Sequence, residues 1–371
     1  MRLNLLILYL LIFIVQFIFI QLLLSSSLLF LSFKQVMAEQ IITPSITRLS
    51  TTIDSSNNNQ IKIVSKKIAE DMLRQIERAS QNLTFYGTIV QQKGQNIFSS
   101  EITRLVEKEK KYEKISALDG DRRKIFIHDN KKFVINSDKT AIAVKTIYLV
   151  SSFPNLIKLE NIPRILNFYQ LISSNRLTRV GDRHAKIFYL QAKDKFRWSY
   201  KFWIDNQTNL ILKTQILNYK NEVLEQKVFS EIHYGPLPQE MKSDLEEELK
   251  LTNEHVDQKD ALPNFMPKLA NLLPIEINGF KQRAKWTENL NSSPKHEFLE
   301  KTDQAFYWDG LSSVSVFIKP DAHTSYHSNH FNLGATRLQV EKWHDNWITV
   351  VGEVPDETLR SFLTAIKSQK L

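Results

Sequence analysis

The chain has 371 residues, 42% of them hydrophobic and 11% aromatic, with no cysteine and a formal charge of +9 at pH 7. That length favours two domains over one, and the apolar share is enough to bury a real core. The missing cysteines exclude disulfides, thiolate zinc sites and a cysteine nucleophile, and leave the compartment open.

The N-terminus addresses the compartment. After Arg2, the stretch from Leu3 to Phe33 is almost unbroken Leu, Ile, Phe and Val. Val36-Met37-Ala38 then sets small or β-branched side chains before a cut between Ala38 and Glu39, as in a secretory signal. The apolar run is also long enough to cross a bilayer as an uncleaved anchor. Either way the remainder is expected outside the cytoplasm. Residues 1–38 hold Arg2 and Lys34 and no acid, so the exported part stays basic. Such a surface can steer toward anionic lipid or an acidic protein segment. Export and the lack of any nucleic-acid motif argue against nucleic acid.

Residues 39–63 are polar, with the run Asp54 to Gln60, and read as a disordered tether. A helix follows on the stripe Ile68, Met72, Ile76, Ala79 and Leu83. From Thr84 the period becomes two. Strands are predicted over 85–90 and 97–106 around a Lys93–Asn96 turn, then over 112–118, 124–127, 132–135 and 141–149. Asn161-Ile162-Pro163 opens a short helix with Ile165, Phe168, Tyr169 and Ile172 on one face. Strands resume over 177–180, 185–192, 197–204, 210–219 and 223–233. The whole is a mostly β first domain, 64–235, built as an antiparallel sheet or barrel.

Gly235-Pro236-Leu237-Pro238 ends the series. The acidic, helix-prone stretch behind it has no aromatic residue, so 236–261 reads as a linker and Glu246–Glu248 as a solvated face. A second, α+β domain is expected over 262–371. Its strands fall over 297–308, 314–318, 335–343 and 347–353, and Pro355 opens a closing helix on Leu359, Phe362, Leu363 and Ile366.

Signals of catalysis are weak. His323, His327 and His330 share a Ser/Asn-rich stretch without the periodicity that would aim them at one metal, so a solvated loop is expected. Asp182 and His184 suggest no triad. The glycines form no G-x-S-x-G elbow, Walker run or dinucleotide fingerprint. No cofactor is implied. The aromatics say more. Phe196, Trp198, Tyr200 and Phe202 alternate, so they share one strand face, where Phe85, Phe168 and Tyr169 can join them. Hydrophobic core is one reading; a cavity for an acyl chain or apolar peptide is the other.

Specific segments resemble a known family. Phe85-Tyr86-Gly87-Thr88-Ile89-Val90, the segment Glu113–Arg123 around Leu118-Asp119-Gly120, and the hairpin Tyr200-Lys201-Phe202-Trp203-Ile204-Asp205 with Thr208 and Leu210 resemble the RseB/MucB family. So do Asp309-Gly310-Leu311-Ser312 with Val314 to Phe317, Leu333-Gly334-Ala335-Thr336, and Val350 to Pro355. Asp121 departs from the proline that often follows that first Asp-Gly. The resemblance implies an incomplete antiparallel barrel with helices, like LolA and LolB, plus a smaller α+β domain. It implies a periplasmic, non-enzymatic regulator that binds the periplasmic segment of a single-pass RseA/MucA-type anti-sigma factor and shields it from proteolysis. Release by lipopolysaccharide or lipid is also implied. A lipid or lipoprotein carrier is the competing expectation. Both domains are expected to take part, so that residues 39–235 alone bind the segment more weakly.

Overall fold

The computed structural model describes residues 61–369, apart from 109, 130, 140, 145–152, 255–272, 290–300 and 322–327. The signal segment with Ala38 and Glu39, the tether to Gln60, and His323 and His327 lie outside the described residues.

The first sheet is laid down by β1 (Ile61–Ile63), β2 (Phe85–Lys93), β3 (Asn96–Glu107), β4 (Lys110–Ala117), β5 (Lys124–His128), β6 (Lys131–Ile135) and β7 (Ala141–Val144). It continues with β8 (Tyr169–Val180), β9 (Arg183–Ala192), β10 (Ser199–Asp205), β11 (Ile211–Leu217) and β12 (Val223–Tyr234). All the pairings are antiparallel. The spatial order β1-β8-β9-β10-β11-β12-β2-β3-β4-β5-β6-β7 leaves β1 and β7 as edges, so the barrel is incomplete. Tight hairpins set the register: Lys93 pairs with Asn96 across Gly94, whose φ of 60° suits the turn.

Two helices pack into the core of the first sheet. In α1 (Lys66–Asn82) the buried stripe is Ala69, Leu73, Ile76, Ala79 and Ser80, and Ile68 is 54% exposed. The sequence offers two stripes one residue apart with similar spacing. The structure takes the one that hides Ser80, whose hydroxyl donates to the Glu77 carbonyl at 2.7 Å. Helix α2 (Ile162–Phe168) stops at Phe168, and Tyr169 and Ile172 belong to β8. That apolar run fits both periods, and sheet pairing with β9 decides it. Asn161 caps nothing; its Oδ1 accepts from Arg283 Nη2 at 2.9 Å.

The stretch read as a linker folds largely as α3 (Gln239–Glu254) and docks on the first sheet. Leu237 and Leu245 are buried with Leu105, Phe126 and Ile135. Glu248, expected in solvent, is 3% exposed and meets Lys124 at 2.5 Å. Residues 255–261 lie outside the described residues.

The second sheet comprises β13 (Glu276–Ile277), β14 (Phe280–Asn289), β15 (Lys301–Trp308), β16 (Ser313–Pro320), β17 (Asn329–Leu333), β18 (Thr336–Trp343) and β19 (Asn346–Gly352), in the order β13-β14-β15-β16-β19-β18-β17. Helix α4 (Asp356–Lys367) closes it, with Leu359, Phe362, Leu363 and Ile366 all buried in a core with Phe280, Tyr307 and Val350. His330 lies on β17, where its Nε2 is 3.0 Å from Asp356 Oδ1. Strands β1, β13, β14 and β17 went unforeseen, being short or polar; β1 takes Ile61–Ile63 from the end of the stretch read as a tether, because it pairs with β8. Both sheets belong to one compact unit.

Candidate partner-binding site

The loop after β9 carries the side chains that join the sheets. Asp194 Oδ1 accepts from the Phe196 amide at 2.9 Å, turning the chain before β10 begins at Ser199. Phe196 therefore leaves the stripe expected of it and packs against the core of the second sheet. Arg197 goes inward. Its side chain is fully buried, its Nε donates to Asp309 Oδ2 at 3.0 Å, and its Nη2 donates to the Asn278 carbonyl at 2.8 Å. The guanidinium also pairs with Asp194 and lies 4.2 Å from the centre of the Phe168 ring.

Asp309 is as buried as its partner. Its Oδ2 also accepts from the Tyr169 hydroxyl at 2.9 Å, and its Oδ1 accepts from the amides of Leu311 at 2.8 Å and Ser312 at 2.6 Å. Gly310 holds a φ of 110°, and a Cβ there would come within 3.1 Å of Ile165 Cγ1, so the turn needs glycine. Tyr200 Oη and Ser312 Oγ are 2.8 Å apart. Trp198 Nε1 donates to the Ala335 carbonyl at 2.9 Å, and the Ala335 amide donates to Glu225 Oε1 at 3.0 Å. Burial, reinforced by Asp309, holds the Tyr169 phenol well above its ordinary pKa. Burial and then Glu353 do the same to Tyr200. Both stay neutral near pH 7, as hydroxyls that can donate. Burial and Glu353 also push Glu225 up.

A buried ion pair adds little net stability, but breaking it leaves an uncompensated charge. This seam therefore fixes how the sheets meet. Beside it lies an open groove of about 660 Å³, lined by Lys195 and Phe196 on one side and Ile277, Glu357, Arg360 and Ala365 on the other.

Of the seven aromatics singled out from the sequence, Tyr169, Trp198 and Tyr200 hydrogen-bond across the seam, and Phe168 lies under Arg197. Phe85 packs edge-on to Phe229 at 5.9 Å, and Phe202 stacks on Tyr200 at 6.1 Å, both deep in the first core. Phe196 faces the groove. Arg197, Glu225, Asp309, Ser312 and Ala335 were not foreseen as a constellation. The Asp-Gly-Leu-Ser turn was the available signal.

Fold and seam together define a two-domain protein, with an incomplete barrel joined to a smaller α+β domain. The chain matches the MucB/RseB N-terminal domain over residues 68–258 and the MucB/RseB C-terminal domain over residues 274–367, and belongs to that family. It is 26% identical over 298 residues to the sigma-E factor regulatory protein RseB of Salmonella typhimurium, covering 80% of this chain and 89% of that one. It is 24% identical over 317 residues to the sigma factor AlgU regulatory protein MucB of Pseudomonas aeruginosa, covering 81% and 91%. Among solved structures, the Pseudomonas aeruginosa MucA/MucB complex superposes with a TM-score of 0.60 at 22% identity, over 82% of this chain and 98% of that one.

Proposed function

We propose that this protein is a periplasmic negative regulator of the sigma-E envelope-stress response. It binds the periplasmic segment of a single-pass RseA/MucA-type anti-sigma factor and shields that segment from the site-1 protease. The observation that carries this reading is the family match across both domains. The seam draws Tyr200, Asp309, Ser312 and Ala335 from the motifs that bear the resemblance. Export rests on the apolar run and the Ala38–Glu39 cut, and predicts a mature N-terminus at Glu39, to be read by mass spectrometry of the envelope fraction. The groove beside Phe196 is the surface assigned to the segment. Incubating a purified segment with the protease, with and without stoichiometric protein, tests the function. Slower cleavage is expected, and an unchanged rate would overturn it.

A second reading concerns the releasing signal. On the core-facing side of the first sheet, Lys227 is paired in register with Thr214, which is paired with the core residue Phe202. Burial pulls the Lys132 ammonium below its ordinary pKa against the opposing charge of Glu113, with Lys227 adding a smaller push in the same direction as burial. Arg104 meets Glu113 at 2.8 Å but keeps a buried Nε without a hydrogen-bond partner. Crowded cations favour an anion, in keeping with a lipid or lipopolysaccharide headgroup whose acyl chain runs toward Phe85 and Phe202. Recovery of lipoproteins rather than an anti-sigma factor from envelope pull-downs would replace both readings with a carrier.

A further inference from the structure

The first turn of α1 opposes its own dipole. A helix N-terminus favours negative charge, yet this turn holds Lys66 and Lys67 and no acid. Lys62 precedes them on the edge strand β1, and all three lysines are exposed. Among them stand two large apolar side chains that the fold leaves out, Ile63 at 61% exposed and Ile68 at 54%. Their neighbours Val64 and Ala69 pack on the core. The acids next along the helix are Glu70, paired with Arg74 at 2.6 Å, and the solvent-facing Asp71.

A lone exposed leucine needs no explanation, but apolar side chains set among lysines match the chemistry of a lipid interface. Charge complementarity selects that occupant: three exposed lysines set around two exposed isoleucines match an anionic headgroup layer over an apolar interior, and export puts the chain on the side where it can meet one. We propose that Lys62, Ile63, Lys66, Lys67 and Ile68 form a docking surface for the anionic phospholipid face of the inner membrane. Lysines bring the surface in, and the apolar side chains enter the headgroup layer. The regulator would thus be held where a membrane-anchored partner presents its segment. This inference rests on export, but not on the partner assignment.

The test is co-sedimentation of the chain from Glu39 onward, whose described fold begins at Ile61, with vesicles of phosphatidylcholine alone or with added phosphatidylglycerol. Binding is expected only with phosphatidylglycerol, weakening with salt. At about fivefold per lysine, Lys66→Glu with Lys67→Glu should weaken it at least tenfold. Ile63→Ser with Ile68→Ser should weaken it several-fold while melting as wild type. Equal partitioning to both vesicles, or an unaffected lysine variant, would overturn the proposal. So would a dimer abolished by the isoleucine variant without any vesicle binding, which would make a second copy the occupant. Both variants should bind the anti-sigma segment as wild type in solution, which keeps failure here distinct from failure of the proposed function.

Discussion

Arg197 and Asp309 lie 112 residues apart in sequence and are both hidden from solvent, so neither is accommodated without the other. Asp309→Ala would leave the buried guanidinium with only the partly exposed Asp194 as its counter-charge, and a loss of about 3 kcal/mol is expected in urea unfolding. Asp309→Asn, which can still accept the Leu311 and Ser312 amides, should lose less. Equal losses would show that the charge, and not the two amide bonds, is what the site requires. On the outer face of β10, Trp203 is 8% exposed and flanked by Lys201 Nζ at 4.7 Å and Lys213 Nζ at 4.8 Å from its ring centre. Trp203→Ala should cost about 3 kcal/mol, the low end for a large aromatic, since lysine stems can close over part of the gap. An unchanged melting temperature would contradict its packing role. Alternation puts Trp203 opposite Tyr200 and Phe202, because period two is a property of the strand itself. It failed for Phe196, which precedes the strand in a turn held by Asp194. The charge partner of Arg197 was illegible for a different reason, since local pattern carries no information about a contact so distant in sequence.

At the scale of elements, strands and hairpins were the most legible, and α3 was the instructive miss. Its helicity was plain, but its acidic composition argued for solvent. The docking signal was there in Met241, Leu245 and Leu249, spaced by four on one face, and all three join the cluster with Phe126 and Ile135. What the sequence concealed was that the acids themselves are partnered: Asp244 with Lys114 at 2.9 Å, Glu247 with Lys139 at 2.9 Å, and Glu248 with Lys124. At the centre, His128 Nε2 lies 3.0 Å from Thr252 Oγ1, and its ring stacks on Phe133 at 5.1 Å. Burial lowers the His128 pKa from its ordinary 6.5; Lys131 acts in the same direction and Asp129 against it. The folded state then binds fewer protons than the unfolded chain as pH falls through the ordinary histidine range, so stability contributed here is lost on acidification. Amide exchange in α3 should therefore accelerate between pH 7.5 and pH 5.5 by several-fold more than in α4, after correction for intrinsic rates. His128→Gln should remove the difference. Parallel behaviour of the two helices in the wild type would dismiss a histidine latch.

For the whole molecule, the question is how two domains joined by so directional a seam respond to a ligand. The sequence suggested an adjustable pair on a polar linker, and surfaces between domains of one chain often are adjustable. Here the contacts are buried and geometrically exacting, running from Arg197 to Asp309, Tyr200 to Ser312 and Trp198 to Ala335. Such a seam favours discrete arrangements over gradual sliding, and a ligand shifts between them only by its differential affinity. If the anti-sigma segment is gripped in the groove between the Phe196 loop and α4, both walls are required. The shortened chain that tests this must keep α3, because ending at Gly235 would uncover Phe126 and Ile135; residues 39–258 retain it. We expect the chain from Glu39 to its end to bind a labelled segment at least tenfold more tightly than residues 39–258, a difference of about 1.4 kcal/mol. Tyr200→Phe, which loses one seam bond while sparing the groove, should fall between them, and lipopolysaccharide should weaken binding by the full-length form alone. Melting curves establish that the shortened chain folds. Equal affinity for the long and short chains would place the whole site on the first domain and remove the seam from the mechanism. Indifference to every amphiphile tried would remove the releasing signal and leave the two-walled grip intact.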